Sequence, residues 1–134
     1  MRSKSCPAKI SERHHQKNVI AWFAWKYPQF DKLLVHVPNG QNVGERKGKD
    51  LKDMGVVKGF PDLVLFVPRN EPGLIVEMKT KGGRLHGDQP EVMAKLKGQG
   101  YRVEVCCSYE EAAKVIDDYL NRPLTNLRSA VLNT

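Results

Sequence analysis

At 134 residues the chain has the length of one domain with a core of its own. Hydrophobic residues make up 40% of it, and no run of about eighteen apolar residues occurs, which excludes a membrane-spanning helix. The formal net charge of +7 favours polyanionic partners, nucleic acid first, although charge alone does not separate a nucleic-acid binder from a merely basic protein.

The amino terminus, Met1-Arg2-Ser3-Lys4-Ser5-Cys6-Pro7, is basic and has no apolar run after it, so it does not resemble a secretory signal. Residues 1–10 are expected to form a basic arm. The three cysteines, Cys6, Cys106 and Cys107, cannot all pair within the chain. They are expected to be reduced thiols in a cytoplasmic protein.

Ser11 is a good N-cap, and the spacing of Val19, Ile20, Phe23 and Tyr27 predicts a helix from there to about Tyr27. Trp22 widens its apolar face, and Pro28 lies just beyond its end. Leu33 to Val37 is a predicted strand, broken by the Pro38-Asn39-Gly40 turn. Residues 39–58 form a long polar loop, with room for a short helical turn near Asp50 to Met54. A loop this long in a compact domain is usually functional or mobile. Leu63 to Val67 and Leu74 to Thr80 are two apolar strands, spaced as an antiparallel pair and buried on both faces. Lys81-Gly82-Gly83-Arg84 is a flexible basic loop. A helix starts near Asp88, which can cap it, with Pro90 in the first turn. It ends at Gly98 to Gly100. Tyr101 to Cys107 is a fourth strand, and Ser108-Tyr109-Glu110-Glu111 is a capping box opening the last helix. Pro123 ends that helix, and residues 122–134 are expected to be a weakly structured tail. The order α-β-(loop)-β-β-α-β-α predicts an α/β fold, a mixed sheet flanked by helices, in a single domain over residues 1–134.

The chemistry concentrates between Gly59 and Lys79. In Gly59-Phe60-Pro61-Asp62 an acid sits at the mouth of one apolar strand, and in Glu77-Met78-Lys79 an acid and a lysine sit at the end of the next. Burying such charges is costly unless something pairs with them. Side chains alternate along a strand, so Glu77 and Lys79 share a face while the Met78 carbonyl remains available beside them. If the neighbouring strand brings Asp62 alongside, two carboxylates and a carbonyl make an all-oxygen site suited to Mg²⁺ or Mn²⁺. Lys79 is then placed to orient a nucleophile or to stabilise developing negative charge on a phosphate. Glu-x-Lys alone is a weak pattern, since a surface hairpin with a cross-strand ion pair produces it too. The proline-preceded acid, the apolar strands and the separation strengthen it.

Together the Gly59–Asp62 and Glu77–Lys79 motifs resemble the PD-(D/E)XK nuclease superfamily, and more specifically the VRR-NUC family of virus-type replication and repair nucleases. The resemblance runs from about Ser11 to Leu120. It takes in Ser11-Glu12 with Gln16, the Pro38-Asn39-Gly40 turn, Gln89, Gly100-Tyr101-Arg102-Val103 and Ser108-Tyr109-Glu110-Glu111-Ala112. It implies a restriction-endonuclease-like αβββαβ core, Mg²⁺ or Mn²⁺ as cofactor, and cleavage of DNA phosphodiesters. Asp62, Glu77 and Lys79 match the family's catalytic triad, and Gln89 matches its glutamine after the motif. Glu12 matches the first-helix acid that completes the metal site with Asp62, Glu77 and the carbonyl of Met78. Small stand-alone members look like Holliday-junction resolvases, form homodimers and are typical of bacteriophages. Two other functions fit the same fold: a catalytically silent DNA-binding module, and a restriction-like nuclease that reads a sequence.

Other residues carry weaker signals. Glu12 also suits a helix first turn on dipole grounds alone. Lys47, Lys49, Lys81 and Arg84 are candidate phosphate contacts, a role any solvated basic loop can mimic. Adjacent helical histidines diverge by about 100°, so His14 and His15 do not share one metal. No structural zinc spacing is present. His36 is expected to be a partly buried strand residue, and Trp22, Phe23 and Trp25 to belong to the core or to a dimer interface.

Overall fold

The computed structural model describes residues 10–38, 44–79 and 84–125. The expectations for Cys6, Asn39-Gly40, Lys81, Gly82-Gly83 and most of the two termini lie outside them. Four strands form one mixed sheet in the order β1-β2-β3-β4: β1 (Leu34–His36), β2 (Leu63–Leu65), β3 (Leu74–Met78) and β4 (Arg102–Cys106). The first three run antiparallel and β4 runs parallel to β3. Helix α1 (Glu12–Lys26) precedes the sheet, α2 (Gly44–Asp53) links β1 to β2, α3 (Gln89–Gly98) crosses from β3 to β4, and α4 (Tyr109–Asn121) follows. The expected order and mixed sheet are therefore present.

Alternation along the strands divides the core into two layers. On one face Leu63, Leu65, Leu74, Val76 and Met78 pack against Val19 and Phe23 of α1 and Ala112, Ile116 and Tyr119 of α4. On the other, Val64, Ile75 and Val103 pack against Met93 of α3. All five residues of β3 are buried, which is what its unbroken apolar sequence requires of a central strand. Two polar ties fix α4. The amide of Tyr109 donates to Nδ1 of His15 at 2.9 Å, so this buried histidine locks the start of α4 to α1. At the far end the Tyr119 hydroxyl donates to the Val67 carbonyl at 2.6 Å, and burial pushes its pKa up to about 12.

Helix ends follow the sequence signals, with exceptions. Ser11 caps α1 through the amide of His14. Ser108 caps α4 through the amide of Glu111, but the Glu111 carboxylate reaches back to the amide of Cys107, one residue before the cap. Asp88 occupies the N-cap of α3 without a side-chain capping bond, contrary to expectation. Gln89 instead ties the preceding turn to the helix start, its Oε1 accepting from the amide of His86 at 2.8 Å. The largest departure is α2, where a loop with a short turn was expected. Arg46, Lys47, Lys49, Leu51 and Lys52 are good helix formers, with opposite charges four apart at Arg46/Asp50 and Lys49/Asp53. A helix polar on nearly every side leaves no apolar period to detect.

Two smaller expectations also fail. Cys107 is disulfide-bonded, so the cysteines are not all reduced, while Cys106 is a buried thiol in the layer beneath α1 and α4. His36 is exposed because β1 is an edge strand. Of the aromatic residues expected in the core or at a dimer interface, Phe23 is in the core, Trp22 packs against it, and Trp25 is 79% exposed and outside it.

Candidate active site

The site forms where β2 begins and β3 ends. Leu63 pairs with Val76, so the next step outward sets Asp62 opposite Glu77 on the face that α3 covers. Asp62 continues the ladder with its side chain: Oδ2 accepts the amide of Met78 at 2.9 Å. A strand residue's N–H and C=O point to the same side, so the Met78 carbonyl also faces Asp62. Lys79 follows one residue past β3, on the face of Glu77, and its Nζ lies 3.3 Å from Glu77 Oε1. Gln89, the first residue of α3, donates from Nε2 to the same oxygen at 3.2 Å. Glu12, the first residue of α1, closes the group from the other layer. One carboxylate oxygen from each of Glu12, Asp62 and Glu77 lies within 4.8 Å of the others.

Charge in this cluster is unbalanced. Glu77 and Lys79 are only 2% and 7% exposed, yet among the described residues three carboxylates share one buried ammonium. Burial first, and then the adjacent Asp62 carboxylate, raises the Glu77 pKa to about 8; Lys79 acts against both. Glu12 is raised too, by burial first, with Asp62 adding to the rise and Lys79 and His86 opposing it. Glu77 Oε1 receives two donors, while Oε2 is buried with no hydrogen-bond partner. A buried, unpaired carboxylate oxygen is expensive. A divalent cation among the three acids would satisfy it and offset the excess charge, and an all-oxygen donor set suits a hard ion.

Of the residues singled out in the sequence, Glu12, Asp62, Glu77, Met78, Lys79 and Gln89 come together. Lys47 and Lys49 do not join them. They are exposed on α2, where with Arg46, Asp50 and Asp53 they line a separate shallow polar hollow. Arg84 is exposed, and Lys81 lies outside the described residues. Two histidines lie near the site, where sequence reasoning did not place them. His86 acts electrostatically on Glu12, and His36 places Nδ1 3.0 Å from the Asp62 carbonyl. Neither belongs to a motif; the only available signal was that His86 stands three residues before Gln89.

Comparisons with known proteins bear on the fold and the family. The family model for the VRR-NUC domain matches residues 2–110. A solved structure described as a VRR_NUC domain protein is similar to this chain with a TM-score of 0.73 at 25% identity, covering 84% of this chain and 89% of that one. A search of curated proteins finds no match.

Proposed function

The chain belongs to the VRR-NUC family, whose members have a nuclease-type function, and from that premise we propose that it is a Mg²⁺- or Mn²⁺-dependent DNA endonuclease acting at the Glu12–Asp62–Glu77 cluster. The observation that carries this reading is the orphaned Oε2 of Glu77, buried within a group of three acids that Lys79 alone does not neutralise. Oxygens of Glu12, Asp62 and Glu77, with the Met78 carbonyl, would hold the ion. Such an ion supplies Lewis acidity and lowers the pKa of water at the scissile phosphodiester. Lys79, fixed beside Glu77, binds a non-bridging phosphate oxygen and stabilises the charge that grows there during hydrolysis. Gln89 holds Oε1 of Glu77 and so orients that carboxylate. Asp62 is oriented in turn by the amide of Met78.

The preferred substrate in this reading is branched or junction DNA in replication, repair or recombination, with Lys47, Lys49, Lys81 and Arg84 contacting the backbone. One nuclease domain spans residues 1–134, acts in the cytoplasm and works as a homodimer, since a two-fold junction is cut by two symmetric sites. An apolar hollow of about 460 Å³ on the sheet face that also carries Asp62 and Glu77 supports dimerisation; Val37, Phe60, Val64, Phe66, Ile75 and Tyr101 are among its lining. None of its lining residues is charged, so the hollow itself would not repel a second copy. Among the described residues no helix is long and apolar enough to cross a membrane.

Cleavage assays on linear, flap and four-way DNA with Mg²⁺ or Mn²⁺ test the proposal. The wild type is expected to cut branched substrates preferentially, and Glu77→Ala to cut none. Metal-dependent cleavage retained in Glu77→Ala would overturn the site, and equal rates on all substrates would overturn the structure preference. A strictly monomeric mass by light scattering at assay concentration would remove the dimer.

A further inference from the structure

Gly59 stands three residues before Asp62, in the segment that enters β2, and its backbone is left-handed with φ +82°. A Cβ built there would lie 2.9 Å from the carbonyl carbon of Asp88, 2.9 Å from the amide nitrogen of Gln89 and 3.1 Å from Cβ of Asp88. The two closest atoms are backbone at the start of α3 and cannot swing aside. The entry to β2 and the start of α3 therefore touch through the one residue type that has no side chain.

Gln89 makes that contact matter. Its amide bridges two groups, taking the His86 amide on Oε1 and giving Nε2 to Glu77 Oε1. With Lys79 on the same Glu77 oxygen, only Oε2 is left open. Easing a 2.9 Å contact to the ordinary 3.4 Å moves the start of α3 by about 0.5 Å. The Gln89–Glu77 bond is already 3.2 Å long. Movement of that size away from β3 takes it past about 3.6 Å, where no hydrogen bond remains.

We propose that Gly59 is a positioning residue for the metal centre: by letting α3 seat against the entry to β2, it sets the reach of Gln89 and leaves Glu77 to offer the cation a single oxygen. The inference rests on the metal-dependent reading above. It concerns how the site is built and not which residues hold the ion.

The test is a double-mutant cycle read as Mn²⁺ affinity, by titration calorimetry on the full chain. Gly59→Ala and Gln89→Ala are each expected to weaken Mn²⁺ binding by about 10-fold or more, the range for partners that orient a ligand. Because one acts through the other, the double variant is expected to bind within about 2-fold of the weaker single. Gly55→Ala is the control for backbone strain. Its φ is +100° and nothing lies within 4 Å of its Cβ, so it is expected to melt earlier yet keep wild-type affinity. Should Gly59→Ala fail to fold, Gly59→Asn takes its place, since asparagine tolerates positive φ while presenting the same Cβ to Asp88. Wild-type affinity in the Gly59 variant, multiplied losses in the double variant, or an equal loss in Gly55→Ala would overturn the positioning role alone. A folded wild type that binds no Mn²⁺ would overturn the metal reading beneath it.

Discussion

Lys79 Nζ lies 3.3 Å from Glu77 Oε1, and both side chains are nearly closed to solvent. An ion pair in so little water stabilises only if the remaining lone pairs are satisfied. Here they are not, because Oε2 has no partner. The pair is therefore poor as a structural device, and a cation on Oε2 would complete its bonding.

That incompleteness has a pH signature. In the cation-free protein Glu77 keeps its proton up to about pH 8, mainly through burial, whereas in the unfolded chain it titrates near 4.5. Between those values the folded state holds more protons than the unfolded, so stability falls as pH rises. The contribution is whole below about pH 4.5 and lost by about pH 8, with a slope of at most about 1.4 kcal/mol per pH unit. Glu12 is shifted in the same direction and adds to the trend. Melting temperatures in chelator are expected to drop from pH 5 to pH 8, and the drop to flatten in Glu77→Gln. An unchanged slope in that variant would assign the effect to other groups.

Cation binding reverses the cost. Coordination needs Glu77 ionised, so Mn²⁺ binding at pH 7 is expected to release close to one proton. Calorimetry in two buffers of different ionisation enthalpy measures that number. At 100-fold over its dissociation constant the ion adds about 2.7 kcal/mol of stability, a rise in melting temperature on the order of 10 °C for a chain of this size. Chelator should reverse the rise, and Glu77→Ala should abolish it. A melting temperature indifferent to millimolar Mn²⁺ would remove the cluster's assignment as a metal site.

Much of this was legible in the sequence because it depends on period. Val19 and Phe23 mark the buried face of α1, the unbroken apolar run of β3 marks a central strand, and alternation puts Glu77 and Lys79 on one face. Antiparallel pairing of two strands joined by a short connection could bring Asp62 beside Glu77, and the register does so. What escaped depends on contacts between distant segments or on elements with no apolar stripe. Helix α2 is polar on nearly every side, so its helical pattern has no hydrophobic beat. Glu12 reaches the cluster only because α1 packs across the sheet, which resemblance suggested and periodicity did not. The approach of Gly59 to Asp88, and the bond from Gln89 to Glu77, exist only once α3 is docked against β2 and β3.

Lys79→Met separates catalysis from binding. The side chain keeps its apolar stem and loses its charge, so β3 should pack as before. Loss of a donor aimed at developing charge typically costs about 100- to 1000-fold in rate, and cleavage should fall by that much. DNA affinity should stay within about 2-fold. A second readout follows from Lys79's pull on Glu77: without it the Glu77 pKa rises further, so the pH of half-maximal Mn²⁺ binding should move upward. Cleavage at the wild-type rate would take Lys79 out of the mechanism.

The basic side of α2 makes a different kind of prediction. Lys47 and Lys49 are exposed and apart from the acid cluster, so replacing them should leave the chemistry alone. If each neutralises one DNA phosphate, the logarithm of the binding constant against the logarithm of salt concentration loses about 0.9 in slope per lysine removed. Lys47→Ala/Lys49→Ala should therefore lower the slope by about 1.8, weaken binding most at low salt, and leave the cleavage rate at saturating DNA unchanged. Fluorescence anisotropy from 50 to 300 mM salt measures the slope. Arg46 lines the same hollow, whereas Lys52 does not, so Lys52 offers an internal comparison on the same helix. If Lys52→Ala changes the slope while Lys47→Ala/Lys49→Ala does not, the hollow does not face the DNA.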